Sequence, residues 1–358
     1  MIKYIGSKRR LLPEIIKTFK TLSSKGRLLD LFSGTARVSH AAKAAGFYVI
    51  ANDHNAYAHT LATCYVEADA EKYQKQAERI IRHLRTLKPR EGFFTETYCV
   101  KSRFFHPKNG ARIDAIRDWI ENNVDDTVLK AILLTSLMEA ADRVDSTTGV
   151  QMAYLKQWAP RAYNDLEMRL PKILPGAGKA LMMDALEAAK RIECDIAYLD
   201  PPYNQHSYRG NYHIWETLVR WDFPEVYGKA CKRLDCREYQ SPFNSKRKAH
   251  QAMQDVVDSI SAPYMVISFN NEGFIRREEM EALLSRKGFV NVIAIKHPRY
   301  VGSKIGIYNP QGKKVGKVSH TENKEFLYIV SQNELSGSIL PSLGMDDNNR
   351  QLLLIDAA

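Results

Sequence analysis

The chain has 358 residues, 44% of them hydrophobic and 26% charged, an ordinary globular composition that excludes disordered and fibrous classes and, at this length, points to one large α/β unit with an insertion. Lys and Arg number 52 against 41 Asp and Glu, and the resulting +11 suggests a polyanionic partner. No run of about 18 apolar residues occurs and no apolar signal core opens the chain, so a soluble, cytoplasmic protein without membrane contact is expected. Arg27 to Phe32 is a short apolar run ending at Ser33-Gly34, as a buried strand should. From Thr35 to Ala45 the apolar residues recur at helical spacing until Gly46 stops them. Tyr48 to Ala51 is a second strand that ends at Asn52-Asp53, completing a βαβ half-unit whose ligand crevice lies at the strands' carboxyl ends.

Between about 57 and 175 the texture becomes helical, with stretches such as Ala70 to Leu87 and Arg112 to Asn122 and no strand alternation. Aromatic and basic residues interleave from Phe93 to Lys108, and Pro175 to Gly178 closes the segment. The α/β rhythm then resumes, with strands at Asp195 to Leu199, Tyr264 to Ser268, Phe289 to Ile295 and Phe326 to Val330 and a helix at Glu278 to Arg286. Residues 300–318 read as a hairpin turning at Tyr308 to Gly312, and the stretch from Gln332 reads as a turn-rich, peripheral tail. The five cysteines (Cys64, Cys99, Cys194, Cys231, Cys236) are scattered and odd in number, which disfavours a disulfide framework. Cys231 and Cys236 lack a second ligand pair, so no metal site is expected.

Four features fall at strand ends. Asp30-Leu31-Phe32-Ser33-Gly34 is a glycine loop with one glycine where a dinucleotide fingerprint has three, so it suits a nucleoside ligand without a pyrophosphate. Asp53 follows Gly34 by 19 positions, where an acid would meet a ribose hydroxyl pair, and Asp184 follows another short apolar run. Either acid could equally be a helix cap. The fourth feature is specific: Asp200-Pro201-Pro202-Tyr203 directly follows a strand. Consecutive prolines fix the backbone, so the Pro201 carbonyl stands in one direction beside the Asp200 carboxylate. Two fixed acceptors beside an aromatic ring match an exocyclic amine on a planar base that stacks on Tyr203.

With Met1-Ile2-Lys3-Tyr4-Ile5-Gly6-Ser7-Lys8 ahead of these motifs, the chain resembles the Dam-like, alpha-group adenine-specific DNA N6-methyltransferases. The resemblance covers roughly residues 1–60 and 180–330, and the segment between only in position and size. It implies a Rossmann-like S-adenosylmethionine-dependent sheet with helices on both faces. The catalytic domain would be discontinuous, 1–60 and 177–331, interrupted by a mainly helical target-recognition insertion at 61–176 and followed by a tail at 332–358. It implies that Tyr4, Lys8, Asp53 and Asp200 contact S-adenosylmethionine, that Asp30 and Gly34 line its methionine end and Asp184 its adenine, and that Phe32 also belongs to the cofactor site. Asp200, Pro201, Pro202 and Tyr203 would carry catalysis on an adenine flipped out of duplex DNA. The departure is Ala36, where the family's loop usually has a second glycine, and it bears on the path of the loop.

Other classes fit less well. Cytosine-N4 methyltransferases more often have Ser where Asp200 stands, and a nicotinamide oxidoreductase lacks its glycines here. A catalytically silent DNA-binding scaffold is opposed by the intact Asp200 motif, and a protein or RNA methyltransferase would share the tetrad. The expected partners are double-stranded DNA and, within a restriction–modification system, a cognate restriction endonuclease, with the chain a monomer or weak dimer.

The charge is unevenly placed. Residues 1–27 carry a net +7 and residues 296–324 a net +6, whereas 67–176 carry only +2. The two basic segments are therefore expected to hold phosphates and the insertion to read sequence. Arg143 and Gln151, in and after the polar loop Asp142 to Gly149, are candidates for base readout, since both side chains make bidentate major-groove contacts. Lys304, Lys313, Lys314 and Lys317 are candidates for the DNA backbone. Ser245 to Lys248 suits a solvated turn or a phosphate contact.

Overall fold

The structure is a computed structural model that describes residues 1–298, 307–308, 314–316, 322–335, 339, 343 and 351–356. Five parallel strands form its centre: β1 (Arg27–Asp30), β2 (Tyr48–Asn52), β3 (Lys179–Leu181), β4 (Ile196–Leu199) and, after a two-stranded ribbon of β5 (Val226–Tyr227) and β6 (Lys232–Arg233), β7 (Tyr264–Asn270). Beyond them lie β8 (Phe289–Pro298), the paired β9 (Ile307–Tyr308) and β10 (Lys314–Gly316), then β11 (Glu322–Ser331) and β12 (Gln351–Asp356). The main sheet runs β12-β8-β11-β7-β4-β1-β2-β3, with β11 inserted antiparallel between β7 and β8. This is the expected α/β class.

Strands β1 and β4 read as continuous apolar runs because helices cover both faces: Leu28, Leu29, Ile196, Ala197, Tyr198 and Leu199 are all buried. One hydrophobic cluster joins a sheet face (Leu28, Val49, Val266, Leu327) to residues of the segment between β2 and β3, among them Tyr73, Phe94, Ile132 and Leu137. A second cluster (Leu29, Ile50, Ala197, Ile267, Met280) fills the opposite face. Each such side chain contributes roughly 1.5–3 kcal/mol when fully buried. The helix Thr127–Arg143 is apolar almost all round, with Leu129, Ile132, Leu133, Leu137 and Met138 buried, as a central helix must be.

Strand order reverses between β1, which continues to β2, and β4, which continues to β7, so a crevice opens at their carboxyl ends. The tail departs from expectation. Leu335 and Leu343 are buried in the first cluster, and β12 pairs in parallel with β8, so the tail extends the sheet instead of lying outside it. The hairpin expected at 300–318 is present as the antiparallel pair of β9 and β10; its turn lies outside the described residues.

Candidate active site

The crevice holds a cavity of about 420 Å³ whose wall includes Tyr4, Lys8, Asp30, Phe32, Gly34, Asp53, Asp184, Asp200 and Pro202. Eight residues expected from sequence to hold a cofactor, separated by nearly 200 positions, thus meet at one opening. Pro201 and Tyr203 do not line the cavity itself. Pro201 is buried, and the Tyr203 ring stands edge-on to Phe269 at 6.0 Å between centroids, while its carbonyl accepts the Phe274 amide.

The glycine loop is built from two left-handed residues. Gly34 has φ +51°, and a Cβ there would lie 3.2 Å from the Tyr4 ring, so both conformation and space demand glycine. Ala36 has φ +56° and is fully buried. The loop therefore keeps the turn that a second glycine would give, at a strain of about 1–2 kcal/mol. Helix Arg37–Ala44 then starts directly from it.

Each acidic residue has a distinct environment. The Asp53 carboxylate accepts the Gly34 amide at 3.0 Å with Oδ2 and the Asn55 amide at 2.9 Å with Oδ1. It anchors the loop, with lone pairs left on the cavity side for a hydroxyl. Asp184 accepts the Leu186 amide at 2.9 Å and so caps helix Ala185–Arg191, and it also lines the cavity. Asp30 is buried, its Oδ2 accepting from Ser39 Oγ at 2.5 Å. Its Oδ1 has no partner among the described residues, nor has Ser33 Oγ nearby in the wall. Burial pushes the Asp30 carboxyl up to about 7, against the Ser39 hydrogen bond that favours its charge.

Asp200 is held by Lys8, whose Nζ lies 2.9 Å from Asp200 Oδ1 and 2.7 Å from Glu325 Oε1. Burial lowers the lysine's affinity for its proton, but the two carboxylates outweigh this and hold it well above the usual range. Burial likewise pushes Asp200 up to about 6, opposed by Lys8 and reinforced by Glu325. Glu325 was not anticipated. Its signal was a lone acid opening the apolar strand Phe326 to Val330, where period-two alternation gives no hint that it faces inward.

Also unanticipated is a tyrosine column. Tyr4 stacks on Tyr208 at 5.1 Å and on Tyr212 at 4.6 Å, and its hydroxyl meets that of Tyr57 at 3.1 Å. The four-residue spacing of Tyr208 and Tyr212 was the available signal. The segment after the Asp200 motif folds back over the crevice, adding Tyr239 and Phe243 to the wall. Phe243 meets the Phe32 ring edge-on at 5.2 Å.

Eight strands in this order around a crevice that gathers a Lys-bearing N-terminal segment, a glycine loop and Asp-Pro-Pro-Tyr agree with one further finding. The model of the D12 class N6 adenine-specific DNA methyltransferases matches residues 4–283. The chain belongs to this family.

Among similar proteins, the modification methylase StsI of Streptococcus sanguinis is 31% identical over 94% of this chain and 52% of its own length. The type II methyltransferase M.NlaIII of Neisseria lactamica is 30% identical over 91% of this chain and 100% of its own. The type II methyltransferase M.FokI of Planomicrobium okeanokoites is 29% identical over 80% and 47%. The chain thus spans about half the length of two of these relatives and the whole of the third. D12 membership brings S-adenosylmethionine as cofactor, and the cavity fits it. An unpartnered buried carboxylate oxygen on Asp30 suits a cationic amine, and aromatic walls suit an adenine.

The DNA candidates divide. Gln151 does not reach solvent: it is buried, its Oε1 accepts the Ile214 amide at 2.8 Å, and its carbonyl meets His213 Nε2 at 3.0 Å. Base readout by Gln151 is therefore withdrawn. The loop before it turns inward because Asp142 and Asp145 bind Lys3, and Asp145 also binds Arg161 at 2.8 Å. Arg143 is exposed, its guanidinium bound to the Glu167 carbonyl at 2.5 Å. Lys314 lies on β10, and Lys304, Lys313 and Lys317 lie outside the described residues. Arg247 and Lys248 are exposed at the cavity's rim. Part of the N-terminal charge is spent internally, since Lys3 and Lys8 are ion-paired and the terminal ammonium meets Glu139. Arg9, Arg10, Lys17, Lys20 and Lys25 remain exposed. His213 is a core residue whose pKa burial lowers to about 3, and Glu216 receives the Ala56 and Tyr57 amides at the start of helix Ala56–Ala62.

Proposed function

We propose that the chain transfers a methyl group from S-adenosylmethionine to the N6 amine of an adenine flipped out of duplex DNA, as the modification arm of a type II restriction–modification system. The observation that carries this reading is the Asp200 carboxylate, held by Lys8 through Oδ1 at 2.9 Å and lining the cavity directly ahead of Pro202. The family supports DNA as substrate, and the duplex form is part of the reading proposed; a type II role draws on relatives that bear that description, and a cognate nuclease would be the corresponding partner.

The cofactor supplies a methyl on a sulfonium, an electrophile that needs no activation. What the protein adds is placement. Asp30 and Ser33 offer acceptors to the cofactor's amino-acid end, Asp53 to its ribose, and Asp184 with the aromatic wall flanks its base. Asp200 and the Pro201 carbonyl would accept the two N–H bonds of the target amine and raise electron density on its nitrogen as it takes the methyl, the sulfonium leaving as a neutral thioether and the displaced proton passing through the Asp200 carboxylate to water. Alignment of two reactants contributes on the order of 7–11 kcal/mol. Flipping the base costs a few kcal/mol, offset by stacking of roughly 1–3 kcal/mol on Tyr203 and by phosphate contacts. Residues 61–176 serve target recognition on this reading, with Arg143 the exposed candidate, and the 296–324 segment holds the DNA backbone.

Expression in a methylation-free host, followed by single-molecule sequencing of its DNA, should reveal N6-methyladenine at one recurring sequence. Asp200→Ala should abolish tritiated-methyl incorporation while duplex binding stays within a few-fold of wild type. Near-normal turnover in that variant, or methyl groups on cytosine N4, would sink the reading.

A further inference from the structure

We infer that Glu325 is a positioning residue for methyl transfer: it shares the Lys8 ammonium with Asp200, so that the lysine orients the Asp200 carboxylate without neutralising the site. The inference rests on the methyltransferase reading above and adds to it a residue at the far end of the chain.

The geometry is closed on every side. Glu325 is buried on β11, between β7 and β8. Its Oε1 accepts from Lys8 Nζ at 2.7 Å and from Ser268 Oγ at 2.6 Å, and its Oε2 accepts from Asn270 Nδ2 at 3.3 Å. Ser268 and Asn270 both stand on the adjacent β7, so the carboxylate is braced by its neighbouring strand and does not depend on Lys8 for position. Lys8 is buried and reaches both carboxylates, the Glu325 contact being the shorter.

A buried Lys8–Asp200 pair alone would be electrically neutral and complete. Adding a third buried charge costs several kcal/mol of desolvation, so it is a poor device for stability. Its electrical effect is specific: two carboxylates and one ammonium leave the triad at a net charge of −1 beside the cavity. A net negative triad favours a sulfonium and the positive charge that develops on the attacking amine. It also returns basicity to Asp200, because Glu325 opposes the lysine's pull on that carboxylate. The titratable groups that face Asp200 are Lys8 and Glu325, together with Asp30 from β1, Tyr198 from β4, and Tyr203 and Tyr208 from the segment after the motif, each of which is perturbed by its charge. Glu325 and Lys8 are the groups among them with the largest effect on it besides burial.

Glu325→Gln retains an oxygen for Ser268 and Asn270 and removes the charge. Turnover of the full-length enzyme on duplex DNA should fall about 10- to 100-fold, with the KM for S-adenosylmethionine changed by less than about threefold. The acid limb of kcat/KM, expected near pH 6 where Asp200 ionises, should move to lower pH, since the variant removes an influence that raises that carboxyl. A double-mutant cycle separates this from loss of structure. Lys8→Met leaves two buried carboxylates facing each other, and Lys8→Met with Glu325→Gln should recover at least about tenfold of the activity lost by Lys8→Met alone. Melting temperatures should follow the same cycle without reference to activity, the double variant melting above Lys8→Met. Wild-type turnover and pH profile in Glu325→Gln, or additive effects on both readouts, would overturn the inference. Absence of adenine methylation by the wild-type enzyme would instead overturn the parent reading, and the melting cycle would still report whether Lys8 is shared between the two carboxylates.

Discussion

Asp30 is a carboxyl whose burial opposes folding once it ionises. Burial raises it from its ordinary 3.8 to about 7, so it is neutral in the folded chain over a range where the unfolded chain ionises it. The stabilisation from keeping it protonated is complete below pH 3.8 and is lost as pH rises through 7. At pH 8 the buried charge costs on the order of 4 kcal/mol. Asp30→Asn should therefore raise the melting temperature of the cofactor-free protein more at pH 8 than at pH 5, and weaken S-adenosylmethionine binding by removing the negative charge available to its amine. Equal gains in melting temperature at the two pH values would show that Asp30 is not strained by burial. Residue types in local motifs carry most of this site's chemistry, which is why Tyr4, Lys8, Asp30, Gly34, Asp53, Asp184 and Asp200 could be named from sequence and are found around one cavity. Their detailed partners could not be named. Nothing local says that Asp53 holds the Gly34 amide or that Lys8 is shared with a glutamate on another strand.

The helix His213–Arg220 has no side-chain cap of its own, Tyr212 standing at its N-cap position. Gln151 supplies one from a distant loop through its bond to the Ile214 amide. Gln151→Ala should thus leave a buried donor without a partner, cost roughly 1–3 kcal/mol in urea unfolding, and leave the methylated sequence unchanged. Altered site preference with unaltered stability would restore base readout by Gln151. The error in reading it as a DNA contact has a physical root. Loop residues such as Asp142, Asp145 and Gln151 are polar in sequence whether they face water or satisfy buried groups, and only tertiary partners decide. Strands and helices with two-sided apolar runs or clear periodicity, such as β1, β4 and Ala70–Thr86, were legible because burial imposes that periodicity.

At the scale of the molecule, the tail is the clearest departure from the sequence reading. Turn-rich composition suggested a periphery, yet Leu335 and Leu343 are buried with the main core. Leu343→Ala should cost about 2–4 kcal/mol of unfolding free energy, measured by denaturant or thermal melting. A loss below about 0.5 kcal/mol would return the tail to the surface. The sheet's order holds a second consequence. Lys8 and Glu325 are separated by 317 positions, and β11 takes its place only between β7 and a β8 already made. At about 5–20 residues per second on the ribosome, the second carboxylate emerges roughly a quarter of a minute to a minute after the lysine it will share. A nascent chain that has reached Tyr203 carries every recognisable motif but not the counter-ion. Completion of this charge set therefore waits on β11 and cannot precede its synthesis.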